Sequence, residues 1–320
     1  MGKNKKNSTL VIRLSALGDV AMTIPVVYSV ANRYPEHEFI MLTKSPFHTL
    51  FINKPDNLIP VAYSRNVWKN YGDKVADLHS VLRSWRIDLR FLLRGTKVAV
   101  INKGRIEKNK LIREKNKNLC QLETSIERYQ KVFEKLGYDA ALNFTSLFET
   151  KNKKHEAWIG IAPFAQHAGK IYPLEQMEEV VRLLCALPDI KIFLFGNKRE
   201  GEILENWSSK YRYVQSVAGK MSFYEELRLM NDLNVMVSMD SANMHLASLV
   251  DTPVVSVWGA THPYSGFYGY GQDIKNAIQV DMPCRPCSIY GKKPCRYGIY
   301  DCMNRIKPEM IVEKTMCFLL

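Results

Sequence analysis

The 320-residue chain, 46% hydrophobic and 24% charged, is long for one core and is expected to form two domains. No apolar run reaches the roughly 18 residues that span a bilayer, and the opening "MGKNKKNSTLVIRL" suits neither a signal peptide nor a myristoylation signal, so a cytoplasmic protein is expected. A formal charge of +13 calls for an anionic partner such as a nucleotide, an acidic sugar or an acidic membrane surface; the basic run 97–118 carries no nucleic-acid motif, and nucleic acid is set aside.

Taken in chain order, the first half alternates short β-branched runs with helical spacing. "TLVIRL", "EFIMLT", "LIPVAY", "KVADLH" and "KVAVIN" read as strands, and residues 20–33, 80–94 and 120–137 read as helices. This is the pattern of a doubly wound parallel sheet. The charged stretch "FETKNKKHEA", residues 148–157, suits a linker. The alternation then restarts: strand "AWIGIAP", helix 173–187, strand "KIFLFG", helices 200–211 and 222–232, strand "NVMVSM", helix 241–249 and strand "PVVSVWG". Two Rossmann-like domains, 1–152 and 153–305, are expected to face each other across a cleft, with a helix in 306–320 packing back on the first.

Four polar elements follow strands: "SALGD", "FAQHAGK", "GNKRE" and "DSANMH". Asp240 and Ser241 are good N-cap residues, and the helix they open offers free amides to a phosphate; His245 either packs or binds there. Lys170 precedes another helix start and is placed to neutralise a phosphate, or is simply solvated. Glu200 sits where doubly wound folds hold a ribose hydroxyl, or complements a helix dipole. Asp19 reads as the N-cap of a helix from Val20, or as a base facing a ligand that Gly18 lets approach closely. Cys284, Cys287, Cys295 and Cys302 lie in "CRPCSIYGKKPCRYGIYDC" and are a candidate structural zinc set, with reduced thiols and disulfides as the other readings.

Together "IRLSALGDVAMTIPVVYSVANRYP", "DLHSVLRS", "KGRIEK", "VSMDSANMHLASLVDTPVVSVWGATHP" and "CMNRIKPEMI" resemble the lipopolysaccharide heptosyltransferases of glycosyltransferase family 9. The resemblance implies a GT-B fold and inverting transfer of a heptose from ADP-heptose to the inner core of lipopolysaccharide, with peripheral association at the inner membrane. It implies no cofactor for catalysis. Asp19 matches the family's proposed base; Lys170, Glu200, Asp240, Ser241, Met244 and His245 match the donor side, and Ser15, Gly18, His79 and Arg83 the acceptor side. Ala242 stands where the family usually has glycine, and "FAQHAGKIYP" lacks the Arg and Trp that often flank the lysine. A transferase for another nucleotide sugar, or a non-catalytic nucleotide- or carbohydrate-binding homologue, are the alternatives.

Overall fold

A computed structural model describes residues 7–113, 115, 117, 119–152 and 156–319. Strands β1 (Ser8–Ile12), β2 (Glu38–Thr43), β3 (Leu58–Ala62), β4 (Lys74–Asp77) and β5 (Lys97–Val100) form one parallel sheet in the order β3-β2-β1-β4-β5. Strand β1 is buried along its whole length, which is why its sequence does not alternate between apolar and polar residues. Its Leu10 lies beside Ile40 of β2 and Val75 of β4, all three fully buried. The order reverses between β1 and β4, so the carboxyl ends of these two strands flank the crevice where open α/β sheets hold ligands.

A second parallel sheet comprises β6 (Ala157–Ala162), β7 (Ile190–Leu194), β8 (Val214–Ser216), β9 (Val235–Met239), β10 (Val254–Val257) and β11 (Ala277–Ile278). Its order is β11-β10-β9-β6-β7-β8, and its reversal falls between β6 and β9. The expected strands are all present. The expected helix from Val20 is instead two helices, Leu17–Ala21 and Ile24–Arg33, and a further helix, Arg105–Leu111, interrupts the basic run.

Local chemistry sets the helix starts. In "TSIE" the Thr124 hydroxyl accepts from Glu127 N and the Glu127 carboxylate accepts from Thr124 N, opening Ser125–Lys135; "SFYE" repeats this with Ser222 and Glu225 ahead of Phe223–Asn231.

The chain falls into two units, one comprising residues up to Lys103 with Glu123–Leu147, the other Gly104–Leu122 with Phe148 onward. The basic run is thereby divided. Of its cations, Lys108 is buried with its ammonium 4.1 Å from the Phe267 ring centroid, while Leu111 packs with Leu122 and Ile289. Lys108 is therefore not the solvated charge that the run suggests, although Lys110 and Arg105 are exposed. Residues 114, 116 and 118 of this run, and 153–155 of the expected linker, lie outside the described residues. The C-terminal helix Pro308–Met316 was expected on the first domain; its Ile311 instead joins the core of the second unit, alongside Met177 and Val180 of helix Leu174–Cys185. Among the described residues no helix is long and apolar enough to cross a membrane.

In the cysteine-rich loop the zinc reading finds no support, and the cysteines are free. Among the described residues no group of three or more His, Cys, Asp or Glu side chains is placed to hold a metal, and Cys284, Cys287, Cys295 and Cys302 are all free. Burial pushes the Cys287 thiol up and the Cys302 thiol up to about 11, so both keep their protons at neutral pH. Two side-chain cations organise the loop instead. Buried Arg285 donates to the carbonyls of Trp258, Gly259, Thr261 and Val280, and Lys117 donates to those of Pro283, Cys284, Arg285 and Pro286. The buried carbonyls among them would otherwise be desolvated without a donor.

A strong chelator should accordingly leave the melting temperature unchanged. Arg285→Met removes the shared donor and should lower it by roughly 5–10 °C, about 2–3 kcal/mol. A chelator-induced drop in a thermal scan would return a metal to the loop.

Candidate active site

In the first unit the polar cluster grows from the ends of β1 and β4. After β1 the chain places Arg13, largely buried, with one guanidinium nitrogen 2.6 Å from Asp19 Oδ2 and another donating to Leu78 O at 2.7 Å. Burial disfavours the Arg13 charge, but Tyr129, Asp19 and Asp77 more than offset this, and its pKa is raised. Asp19 is not the N-cap that the sequence suggested. The first helix begins three residues earlier, at Leu17, with Ala16 as N-cap, so Asp19 occupies the third helical position and accepts a hydrogen bond from Ala16 N at 3.2 Å. Its side chain is about one-third exposed, so a cation-held carboxylate stands at the sheet's switch point with one face open to water.

The end of β4 supplies a second carboxylate that the sequence reading passed over. Buried Asp77 accepts hydrogen bonds from His79 N, Ser80 N and Ser84 Oγ at 2.7, 2.9 and 2.7 Å, closing the turn into helix Leu82–Leu92. His79 is thereby set against β1, its Nδ1 3.4 Å from Leu14 N. Burial, then the charges of Arg13 and Lys103, push His79 down to about 4, so it is neutral at physiological pH and too weakly basic to serve well as a general base. Neither buried Asp88 oxygen accepts a hydrogen bond; burial and then the nearby Asp77 charge push Asp88 up to about 8. It is a carboxylic acid at neutral pH, as expected where two carboxyl groups share a dry site.

Ser15 is half-buried in the β1 turn and Gly18 lies within the first helix, beside Asp19. Arg83 is not among the contacts of this cluster; its guanidinium carbon lies 5.7 Å from the Tyr63 ring centroid.

In the second unit the corresponding switch point joins Lys170 and Asp240. The Lys170 ammonium is 2.8 Å from Asp240 Oδ2, which also accepts from Thr261 Oγ1 at 2.8 Å. Both ionised side chains are mostly buried, and the pairing keeps each from being an uncompensated charge. The Lys170 stem crosses Gly291, whose φ of +72° and missing Cβ are both required: a Cβ there would meet Lys170 Cγ at 2.7 Å. Gly169 O accepts from Ala260 N, and Ala260 O from Cys287 N and Ser288 N, so the cysteine-rich loop seats the lysine turn. Thr261 and Gly291 escaped the sequence reading because each acts only through a distant partner.

The other residues that the resemblance assigns to the donor side are spread more widely. Ser241 is the N-cap of Ala242–Ser248, with its hydroxyl 3.3 Å from Ser238 Oγ; Met244 and His245 are buried. Glu200, past the end of β7, is the N-cap residue of Gly201–Lys210, and its carboxylate accepts from Asn197 N at 2.7 Å.

The family model for Glycosyltransferase family 9 (heptosyltransferase) matches residues 89–298. The chain belongs to this family. It is a heptosyltransferase-like glycosyltransferase, in a family that transfers heptose. Lipooligosaccharide heptosyltransferase 2 of Campylobacter jejuni is 23% identical over 312 residues, covering 93% of this chain and 94% of that protein. Two solved structures share the fold: the E. coli heptosyltransferase WaaC with ADP, at 18% identity, TM-score 0.68 and coverage of 97% and 99%, and the family 9 glycosyl transferase of Veillonella parvula, at 18% identity, TM-score 0.74 and coverage of 98% and 97%. The two parallel α/β sheets are those of GT-B heptosyltransferases.

The Asp88 proton gives this family 9 enzyme a measurable signature. Its folded-state value of about 8 exceeds the unfolded carboxyl value near ~4, so its contribution to stability is complete below the lower value and is lost as pH rises through the higher one. Asp88→Asn removes that slope and should gain on the order of 1–3 kcal/mol relative to the parent between pH 5 and pH 8, read by chemical denaturation. A difference between the two proteins that does not change with pH would show Asp88 ionised throughout.

Proposed function

We propose that this family 9 enzyme transfers a heptose, with inversion, from ADP-heptose to a hydroxyl of the lipopolysaccharide inner core, with Asp19 as general base. The observation that carries the reading is the Asp19 carboxylate, oriented by Arg13 and Ala16 N and partly open to water at the end of β1. An acceptor hydroxyl must lose its proton as its oxygen attacks the anomeric carbon, and a fixed carboxylate can receive it. Arg13 holds the carboxylate without covering it.

Donor binding is assigned to the second unit, with Lys170 facing the diphosphate. As the bond from the sugar to the diphosphate lengthens, negative charge builds on the leaving group. A lysine held by Asp240 and by the glycine beneath it meets that charge with little reorganisation. Glu200, Ser241, Met244 and His245 complete the proposed donor side, and Ser15, Gly18, His79 and Arg83 the acceptor side. The same residues would serve a different nucleotide sugar, which a donor screen separates.

Incubation with ADP-heptose and truncated lipopolysaccharide acceptors, followed by mass spectrometry, should show one added heptose. Asp19→Asn retains an acceptor for Ala16 N but cannot take a proton, so turnover should fall at least roughly a hundredfold. ADP affinity by calorimetry should hardly change in that variant, while Lys170→Ala should weaken ADP binding by about tenfold or more. Near-parental turnover in Asp19→Asn would remove the carboxylate from the chemistry, and unaltered ADP affinity in Lys170→Ala would move the diphosphate elsewhere.

A further inference from the structure

The ion pair at the switch point of the second sheet is neutral as a unit. The Lys170 ammonium lies 2.8 Å from Asp240 Oδ2, so its positive charge is already matched by a negative one. A departing nucleoside diphosphate carries more negative charge than a single lysine offsets, and a site whose lysine is paired needs a further cation. The cysteine-rich loop carries cations to this place in the fold. Its stretch 282–300 contains Arg285, Lys292, Lys293 and Arg296 and no carboxylate. Arg285 is committed to backbone carbonyls, and the Arg296 guanidinium carbon lies 5.3 Å from the Tyr297 ring centroid. Lys292 and Lys293 are exposed, and neither pairs with a carboxylate among the described residues.

The backbone at Gly291 decides which of these two lysines belongs with Lys170. A Cβ built on Gly169 would lie 3.1 Å from Gly291 O and 3.5 Å from Gly291 Cα, and one built on Gly291 would meet the Lys170 stem at Cγ, Cδ and Cε. The loop therefore crosses the lysine turn at Gly291, and the Cα of Lys292 follows one peptide later, about 3.8 Å on. His167 opens the same turn as N-cap of the short helix Ala168–Lys170, and its carbonyl accepts from Lys170 N at 2.9 Å. Burial, then the charge of Lys292, then that of Lys170 hold the His167 imidazole below the usual histidine range. Two ammonium groups thus act on one imidazole, and the turn, with Asp240 counted, keeps a net positive charge.

We infer that Lys292 is a second diphosphate-binding residue, brought to the Lys170 turn by the cysteine-rich loop. The inference rests on the proposed placement of the diphosphate at Lys170, and it adds the residue that gives that place its charge. The two lysines divide the task. Lys170 is held by Asp240 and Gly291 and offers a fixed hydrogen-bond donor, whereas Lys292 stands on a flexible four-carbon stem in water and can close on an anion that arrives. Because no carboxylate matches its charge, Lys292 gains most as negative charge builds on the leaving group.

Calorimetry of ADP binding to the full chain at low and high salt tests this, with Lys170→Ala measured alongside. Lys292→Gln should weaken ADP binding by roughly tenfold at low salt and by less at high salt, because an exposed cation is screened. Lys292→Arg keeps the charge and should retain most of the affinity, while Lys293→Gln, one residue further along the same loop, should change it by less than about twofold. All three variants should melt as the parent does, since both side chains are exposed. Parental affinity in Lys292→Gln beside weakened binding in Lys170→Ala overturns the inference and leaves the placement of the diphosphate standing. Parental affinity in both removes the diphosphate from this turn, and the inference falls with it. Equal weakening by Lys292→Gln and Lys293→Gln also overturns it, assigning the effect to the overall charge of the loop.

Discussion

A strand buried on both faces of a parallel sheet cannot keep an ionised side chain along its length, so charge is held at its ends, and where it is buried it persists only when paired. Both sheets obey this constraint at their switch points, with Arg13 and Asp19 beyond β1 and Lys170 and Asp240 beyond β6 and β9. Removing one member of such a pair leaves the other as an uncompensated charge, a cost of about 3–5 kcal/mol for a fully buried pair and less where water reaches it. The pairs differ in a way that matches the proposed chemistry. Asp19 is the more exposed member of its pair, whereas Asp240 is nearly closed off and Lys170 is the member that water reaches. One pair thus presents a carboxylate and the other an ammonium.

Carbonyl groups obey a similar rule in the cysteine-rich loop. A chain that turns without regular hydrogen bonding exposes carbonyls that must find donors, and Arg285 and Lys117 supply them in the loop whose cysteines were read as a zinc set, reduced thiols or disulfides. The C-x2-C spacing contains Arg285 between its cysteines, and that arginine, rather than the thiols, does the structural work. The loop's order passes through Ala260 and Gly169 to the lysine turn, so the rigidity of a cation site depends on backbone contacts far from it in sequence.

Much of the fold was legible because buried parallel strands are unbroken apolar runs and their connecting helices keep a 3.6-residue period. Strands β8 and β11 were not, since three and two residues leave no pattern to detect. Helix Arg105–Leu111 was hidden for another reason: "RIEKNKL" has two apolar positions, and burial of Leu111 against Leu122 and Ile289 secures it. Asp19 was recognisable as a strand-end carboxylate, but its cap role was misplaced because "ALGD" opens a helix with no capping side chain at its head. Arg13 gave no signal, since an arginine after a strand ordinarily reads as solvated. Asp77 lay inside the strand read from "KVADLH" and drew no notice, and only the three donors gathered around it reveal why it is there.

Gly291 contributes no atom to any charge in the molecule, yet the Lys170 stem lies across the place where its side chain would be. Its positive φ disfavours every other residue type before contact is considered. A saturation screen for donor use would therefore be expected to flag this loop glycine together with the lysine it supports, and a chimera that exchanged the cysteine-rich loop for one of different register would lose the lysine's seat without touching the lysine. On the proposed donor assignment, loop exchange aimed at new donor specificity is constrained by one missing methyl group behind Lys170 as well as by the residues around it.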